Sequence, residues 1–520
     1  MSRVIVVGLD GATWDLLKPW ADAGELPTVK KLMENGVWGT LESTIPPVTG
    51  PAWTSFSTGK NPGKHGIFDF VKIENNALRL CQSKDVKSEA IHEILSKRNL
   101  RSIVIGLPLS FPPSSDFNGV MVSDFLYPRK EIIPKSKTDY IDSYRAFPNL
   151  LLMGTAADLL DDMVDTAESQ VRVAKELFVR ERWDFYFFHF FATDGVAHHF
   201  WKDIRDNTTT GQKAKEVFHI ADEFLQWVLD EMDGDATLFL MSDHGFADCP
   251  FKINLNNIFM EKGLIKTRIK GTSEDETYAK HLIKTFGIHE KRAVGPRMSL
   301  LRLSSYPRVK LIPKRILQAI LGGAKAEHEA GIDFERSTVF VPTRESMSVY
   351  VGASKRERRQ EIVQDMVEVL RQLEHDGRRV FKEVLVKDEV YSGPFIESAP
   401  DILVIADGFY ISPALGDEVY GEFDEGAWHD LRGVFLAYGS SIKTSSQELT
   451  NLRIYDIAPT ILHVLGLPVP AEMDGRVVEG IFENTSESAK RGIVYREGEP
   501  EDEKRRVSET IERLKARGGI

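Results

Sequence analysis

Ser242-Asp243-His244-Gly245 follows directly on a short apolar run, Leu238 to Met241. Asp and His side by side offer a hard carboxylate oxygen and an imidazole nitrogen, the donor set for zinc or a similar divalent cation. A second pair repeats that chemistry: Asp194 and His198 lie four residues apart, just beyond the aromatic run Phe185 to Phe191. If the chain turns helical there, both side chains share one face and can share one metal, while His199 points elsewhere and reads as structural. Asp10 follows the apolar Val4 to Leu9, and His429 precedes the apolar Gly433 to Tyr438. Thr49 stands two residues before Pro51, which reads as a helix start with a hydroxyl N-cap and proline in the first turn, where no N–H is needed. A helix N-terminus bearing a hydroxyl suits a phosphate group. Three Asp, three His and one hydroxyl can build two metal sites, about 4 Å apart, that share one phosphate. Such metals would lower the pKa of the Thr49 hydroxyl and activate the water that resolves a covalent intermediate. Taken singly, a capping Thr or an Asp-His turn is most simply structural. What singles these residues out is that several strand ends repeat the pattern.

The elements that must position these residues are those of an α/β protein. Apolar runs ending in charged turns read as buried parallel strands whose carboxyl ends are exposed, which is where ligands bind in open α/β sheets. Val4 to Leu9, Ser102 to Gly106, Val120 to Phe125 and Trp183 to Phe191 fit that description, with Gly433 to Tyr438 as a later strand. Trp14 to Asn35 has helical spacing closing at Gly36, and Ala90 to Lys97, Ala156 to Val179, Lys213 to Met232 and Tyr455 to Leu465 read as further helices. Thr338 to Val341, Met347 to Val351 and Ile402 to Ala406 read as strands, with Lys355 to His375 helical between them. Between Asn256 and Ile332 the pattern is irregular and holds fifteen Lys and Arg against seven Asp and Glu. That stretch reads equally as a solvated basic face or as a cap that draws in an anionic substrate.

The 520 residues are 42% hydrophobic and 28% charged, enough for a large core. A net charge of −12 argues against a general nucleic-acid binder. Cys81 and Cys249 are far apart and form no CxxC, so neither a disulfide framework nor a thiolate metal site is expected. No apolar stretch is long enough for a signal peptide or a membrane span, and the expectation is a cytoplasmic protein.

Together these motifs resemble the alkaline phosphatase superfamily, and within it the type I phosphodiesterase/nucleotide pyrophosphatase group, in its predicted phosphohydrolase/phosphomutase branch. The resemblance covers nearly the whole chain. It rests on Asp10-Gly11, Val48-Thr49-Gly50 through Thr58-Gly59, Pro62-Gly-Lys-His65-Gly66, Asp194 to His198, Ser242 to Gly245, His429, Tyr455-Asp-Ile-Ala-Pro-Thr-Ile-Leu and Met473-Asp-Gly-Arg476. It implies an alkaline-phosphatase-like fold: a central, mostly parallel sheet flanked by helices on both faces, with a cap insertion. Residues 1–255 and 333–485 would form a discontinuous catalytic core, 256–332 the insertion, and 486–520 a charged C-terminal tail helix. The resemblance also implies one metal held by Asp10, Thr49, Asp243 and His244 and another by Asp194, His198 and His429, with zinc or manganese as the ion. Thr49 would be the nucleophile for a small anionic phosphate ester, and His65 would be structural. Nucleotide pyrophosphatases carry Pro-Asn-His after the nucleophile where this chain has Pro51-Ala52-Trp53, so the Asn contact to phosphate is absent or comes from elsewhere, such as the Gly50 amide. Two other readings are a phosphomutase of the cofactor-independent phosphoglycerate mutase type, which needs a water-excluding cap, and a non-catalytic phosphate-ester-binding member.

Overall fold

The computed structural model describes residues 2–127, 129–148, 155–269, 330–416, 418–445 and 448–497. Most of the expected basic insertion (270–329) and the end of the expected tail helix (498–520) lie outside them. The centre is a nine-stranded sheet. Its strands are β1 (Val4–Leu9), β2 (Val37–Glu42), β3 (Ser102–Ile105), β4 (Gly119–Val122), β5 (Ile132–Ile133), β6 (Phe185–Phe190), β7 (Thr237–Met241), β8 (Arg432–Gly439) and β9 (Leu449–Arg453). They lie side by side in the order β9-β2-β8-β7-β1-β6-β3-β4-β5. Strands β7, β1, β6, β3 and β4 are mutually parallel, while β8 runs antiparallel to β7 and β2, and β5 antiparallel to β4.

Alternation along β1 shows why both faces are covered. Ile5, Val7 and Leu9 enter one apolar cluster with the helices Trp14–Ala23, Ala156–Arg180 and Thr209–Glu231. Val4 and Val6 enter the opposite cluster with Trp53 and Phe56 of the helix Thr49–Thr58, together with Ile91–Lys97 and Ile457–Val464. Helix starts follow the capping chemistry of their hydroxyls: Thr155 accepts from Asp158 N at 3.1 Å and Thr208 from Gly211 N at 3.1 Å. The single helix expected over Trp14 to Asn35 is instead two, Trp14–Ala23 and Pro27–Asn35. Gly24 stops the first in the left-handed region (φ 82°) and Pro27 starts the second.

A third apolar cluster spans Cys249 to Trp428. It lies under a separate four-stranded sheet of Val339–Phe340, Ser348–Val351, Ile402–Ala406 and Phe381–Val386, covered by the helix Arg359–Arg371. Among the described residues no helix is long and apolar enough to cross a membrane.

Candidate metal centre

The parallel core brings three strand ends level. In the register of β1 with its neighbours, Gly8 lies opposite both His189 of β6 and Met241 of β7. Asp10 therefore emerges beside Asp243 on one side and the chain leaving β6 on the other; its N–H still donates to Phe190 O at 3.1 Å. The chain beyond β6 does turn helical, over Ala192–Arg205, and places Asp194 and His198 one turn apart. His429 arrives by a long-range route. Gly245–Asp248 pairs antiparallel with Ala427–Asp430, setting Phe246 opposite His429, and the His429 ring stacks on His244 with centroids 3.8 Å apart. The strand end at Asp243 and His244 is not exposed as expected: both residues are 0% exposed. The Thr49 helix and the 427–430 strand close over it.

The side chains gather into two groups. Asp10, Asp243 and His244 each turn one donor atom to within 4.8 Å of the others, and so do Asp194, His198 and His429. In the first, His244 Nε2 lies 3.4 Å from Asp243 Oδ2 and 3.7 Å from Asp10 Oδ1. In the second, Asp194 Oδ1 lies 3.5 Å from His198 Nε2 and 3.8 Å from His429 Nε2. Asp194 Oδ1 is also 4.0 Å from His244 Nε2, so the groups adjoin.

Each histidine turns Nε2 inward. His429 Nδ1 donates to Pro47 O at 2.9 Å, and His244 Nδ1 faces Gly245 O at 3.1 Å. A donating Nδ1–H leaves the lone pair on Nε2. Burial keeps the rings neutral: it lowers the pKa of His198, takes that of His244 to about 4 and that of His429 well below the usual range. Burial also drives Asp194 well up, with Asp10, Asp243 and Glu345 adding like-charge repulsion. Asp243 is driven up by burial and by Asp10. For Asp10 burial is again the largest influence, yet the pKa is lowered, because His189 Nε2 at 2.5 Å, His244 and Trp53 Nε1 at 3.2 Å together outweigh it.

This donor set fits divalent cations. Asp194 Oδ1 and Asp243 Oδ2 are buried and accept no hydrogen bond. His198 Nε2 and His429 Nε2 face each other at 2.9 Å. Buried carboxylate oxygens and imidazole lone pairs crowded together call for a positive charge between them.

Thr49 begins the helix Thr49–Thr58 as expected, but it is not its cap. Val48 holds the N-cap position and no side chain caps the helix. The Thr49 hydroxyl turns to the centre instead, 3.2 Å from His244 Nε2 and 3.5 Å from Asp10 Oδ1. Pro51 has no N–H, so the Thr49 and Gly50 amides are the free donors at this helix end. A Cβ on Gly50 would press the Phe70 ring at 3.2 Å. His65 lies outside both groups: its Nε2 meets Ser55 Oγ at 2.9 Å and its Nδ1 accepts from Ile67 N at 3.2 Å. His199 belongs to neither group. The 473–476 segment packs at the other end of that helix, just past Gly59, where Asp474 Oδ2 accepts from Asn61 N at 2.8 Å.

Sequence reasoning missed His189 and Trp53, which hold Asp10, and Glu425, which faces His198. A lone histidine in the apolar Phe185–Phe190 was the available signal for the first. Trp53 lies one turn after Thr49, and its ring fills the space over Gly8. A Cβ on Gly8 would meet Trp53 Cη2 at 2.4 Å, and the ring is packed against Phe56, Phe187 and His189. Gly8→Ala should therefore cost about 1–3 kcal/mol by overpacking. Urea denaturation of parent and variant measures this; an unchanged midpoint would show that the ring gives way freely.

A model of the family described as type I phosphodiesterase/nucleotide pyrophosphatase matches residues 4–420. No curated protein sequence matches the chain. Among solved structures, an inactive murine ectonucleotide pyrophosphatase/phosphodiesterase 5 in complex with AMP superposes with a TM-score of 0.52 at 14% identity, over 93% of this chain and 100% of that one. Phosphonoacetate hydrolase from Sinorhizobium meliloti 1021 in complex with phosphonoformate gives 0.52 at 15% identity, over 88% and 94%. Wild-type alkaline phosphatase PafA gives 0.54 at 16%, over 93% and 99%. At these identities the likeness shows the fold, which is alkaline-phosphatase-like, as the sequence motifs imply.

Proposed function

Because the chain belongs to the type I phosphodiesterase/nucleotide pyrophosphatase family, we propose that it hydrolyses small anionic phosphate esters, with Thr49 as nucleophile and Asp10, Asp243, His244, Asp194, His198 and His429 holding two divalent metals, zinc or manganese. The observation that carries this reading is the position of the Thr49 hydroxyl. It lies within 3.5 Å of two donor atoms of one group, His244 Nε2 and Asp10 Oδ1, while that group adjoins the other through Asp194. Metals bound there would supply Lewis acidity, making the hydroxyl a nucleophile near neutral pH and stabilising charge on phosphoryl oxygens.

The chain's own residues supply the rest. Thr49 Oγ1 gives up its proton and attacks phosphorus, the substrate's ester P–O bond breaks and its oxygen departs as the protonated alcohol. Water then cleaves the Thr49–phosphoryl bond, which restores the hydroxyl and releases the phosphate product. The Thr49 and Gly50 amides, at the positive end of the helix, receive phosphate oxygens. His189 and Trp53 fix Asp10, so the oxygen facing Thr49 does not rotate away. Ala52 has no side-chain donor and Trp53 Nε1 is committed to Asp10, so neither takes the place of the pyrophosphatase Asn, whose contact falls to the backbone amides of the helix start, Gly50 among them.

Known relatives of this fold have been solved with AMP and with phosphonoformate, so the test spans both chemistries. Metal-stripped protein is reloaded separately with zinc, manganese and magnesium and offered phosphate monoesters, nucleotide diesters and phosphonates. The expected result is hydrolysis that needs zinc or manganese, releasing inorganic phosphate or a nucleotide. An isomerised ester with no phosphate released would make the protein a mutase. Turnover unaffected by chelation would remove the metals from the account.

A further inference from the structure

The histidines of the candidate centre meet different surroundings at Nδ1. His244 and His429 turn Nδ1 to backbone carbonyls, Gly245 O and Pro47 O, and the carboxylate beside His429 Nδ1, Glu345 Oε2, stands off at 3.9 Å behind the 2.9 Å contact to Pro47 O. His198 Nδ1 is buried and makes no hydrogen bond; it faces a carboxylate, Glu425 Oε2, at 3.6 Å. Glu425 is itself clamped. Arg344 Nη2 reaches its Oε1 at 3.1 Å and its Oε2 at 2.9 Å. The Arg344 guanidinium is buried and lies over the Trp428 ring at 4.6 Å. Trp428 meets the His198 ring edge-on, centroids 5.0 Å apart. Arg344 comes from the turn between Val339–Phe340 and Ser348–Val351, so the second sheet reaches the centre through this contact.

We infer that Glu425, clamped by Arg344, is a positioning residue that fixes the tautomer and direction of His198 and strengthens it as a donor to a divalent cation. The inference rests on the metal-dependent reading above. When Nε2 gives its lone pair to a cation, the ring becomes more positive and Nδ1–H a stronger donor. A partly buried carboxylate held by Arg344 opposite Nδ1 stabilises that polarised ring, and His244, facing a neutral carbonyl, receives less of this support.

Glu425→Gln keeps the size of the side chain and removes its charge. Zinc affinity of the full-length chain is measured by competition with a chromophoric chelator. The parent should bind two equivalents. Glu425→Gln should bind one of them about 10–100-fold more weakly and the other unchanged. In a His198→Ala background the same change should have no further effect, because Glu425 acts through that ring. Arg344→Lys, which keeps the charge but loses the planar fork, should weaken the same equivalent by a smaller factor. Two results overturn the inference alone: a parent with two equivalents and an unaltered Glu425→Gln, or an equal loss with and without His198. A parent that binds no zinc overturns the metal reading, and this inference with it.

Discussion

Thr49→Ala should fold, bind inorganic phosphate and fail to turn over. Loss of an attacking group elsewhere lowers turnover by roughly 10^4- to 10^6-fold, and a drop of that order is expected here. The stability change should be small. Thr49 is buried but caps nothing, since Val48 holds the N-cap position. The hydroxyl's partners keep other contacts: Asp10 retains His189 and Trp53, and His244 retains Gly245 O. Its removal should therefore cost about 1 kcal/mol. Thr49→Ser restores a hydroxyl at the same position and should recover a measurable part of the rate. A steady-state rate beside a thermal melt for each variant separates these effects. A Thr49→Ala protein with parental turnover would reduce Thr49 to a packing residue.

The second large effect concerns Asp194, and its sign depends on whether metal is present. Asp194 Oδ1 lies within 4.0 Å of His198, His429 and His244, so it touches both groups. It is buried with Asp10, Asp243 and Glu345 as its negative neighbours. In metal-free protein that crowding is unfavourable, and Asp194→Asn relieves it. With zinc added the same change removes a charged donor, which should cost more than about 100-fold in affinity at one site, beyond what loss of an outer supporting group costs. The melting temperature of Asp194→Asn should thus exceed the parent's in chelator and fall below it in zinc, with turnover lost. Equal zinc content in parent and variant, or a lower metal-free melt, would make Asp194 a structural carboxylate.

How much of this arrangement is legible in the chain depends on the range of each contact. Asp10, Asp243 and His244 are visible because an apolar run that stops at a charged turn marks a strand end, and parallel neighbours bring such ends level. Asp194 and His198 are visible because helical periodicity alone places residues four apart on one face. His429 has only a weak local signal, its place before the apolar Gly433 to Tyr438. Its place depends on the pairing of Phe246 with His429 across nearly two hundred residues, and the family resemblance alone assigns it to the group of Asp194 and His198. Thr49 is half legible: Pro51 marks the helix start, but the direction of the hydroxyl follows from Asp10 and His244. His189 is hidden because a histidine within an aromatic strand reads as core. Arg344 and Glu425 meet across separate segments, with no spacing to connect them. The break within Trp14 to Asn35 was written in Gly24 and Pro27, but continuous helical spacing masked it.

The central claim is that phosphate passes through Thr49. Zinc-loaded protein turning over a good phosphate monoester is quenched in acid, which preserves phosphate esters of threonine, and digested for mass spectrometry. The account predicts one added phosphoryl group on the peptide containing Thr49, present only with substrate and metal and absent from Thr49→Ala. Turnover at the full parental rate with no phosphorylated peptide, or with phosphate on another residue, would contradict it.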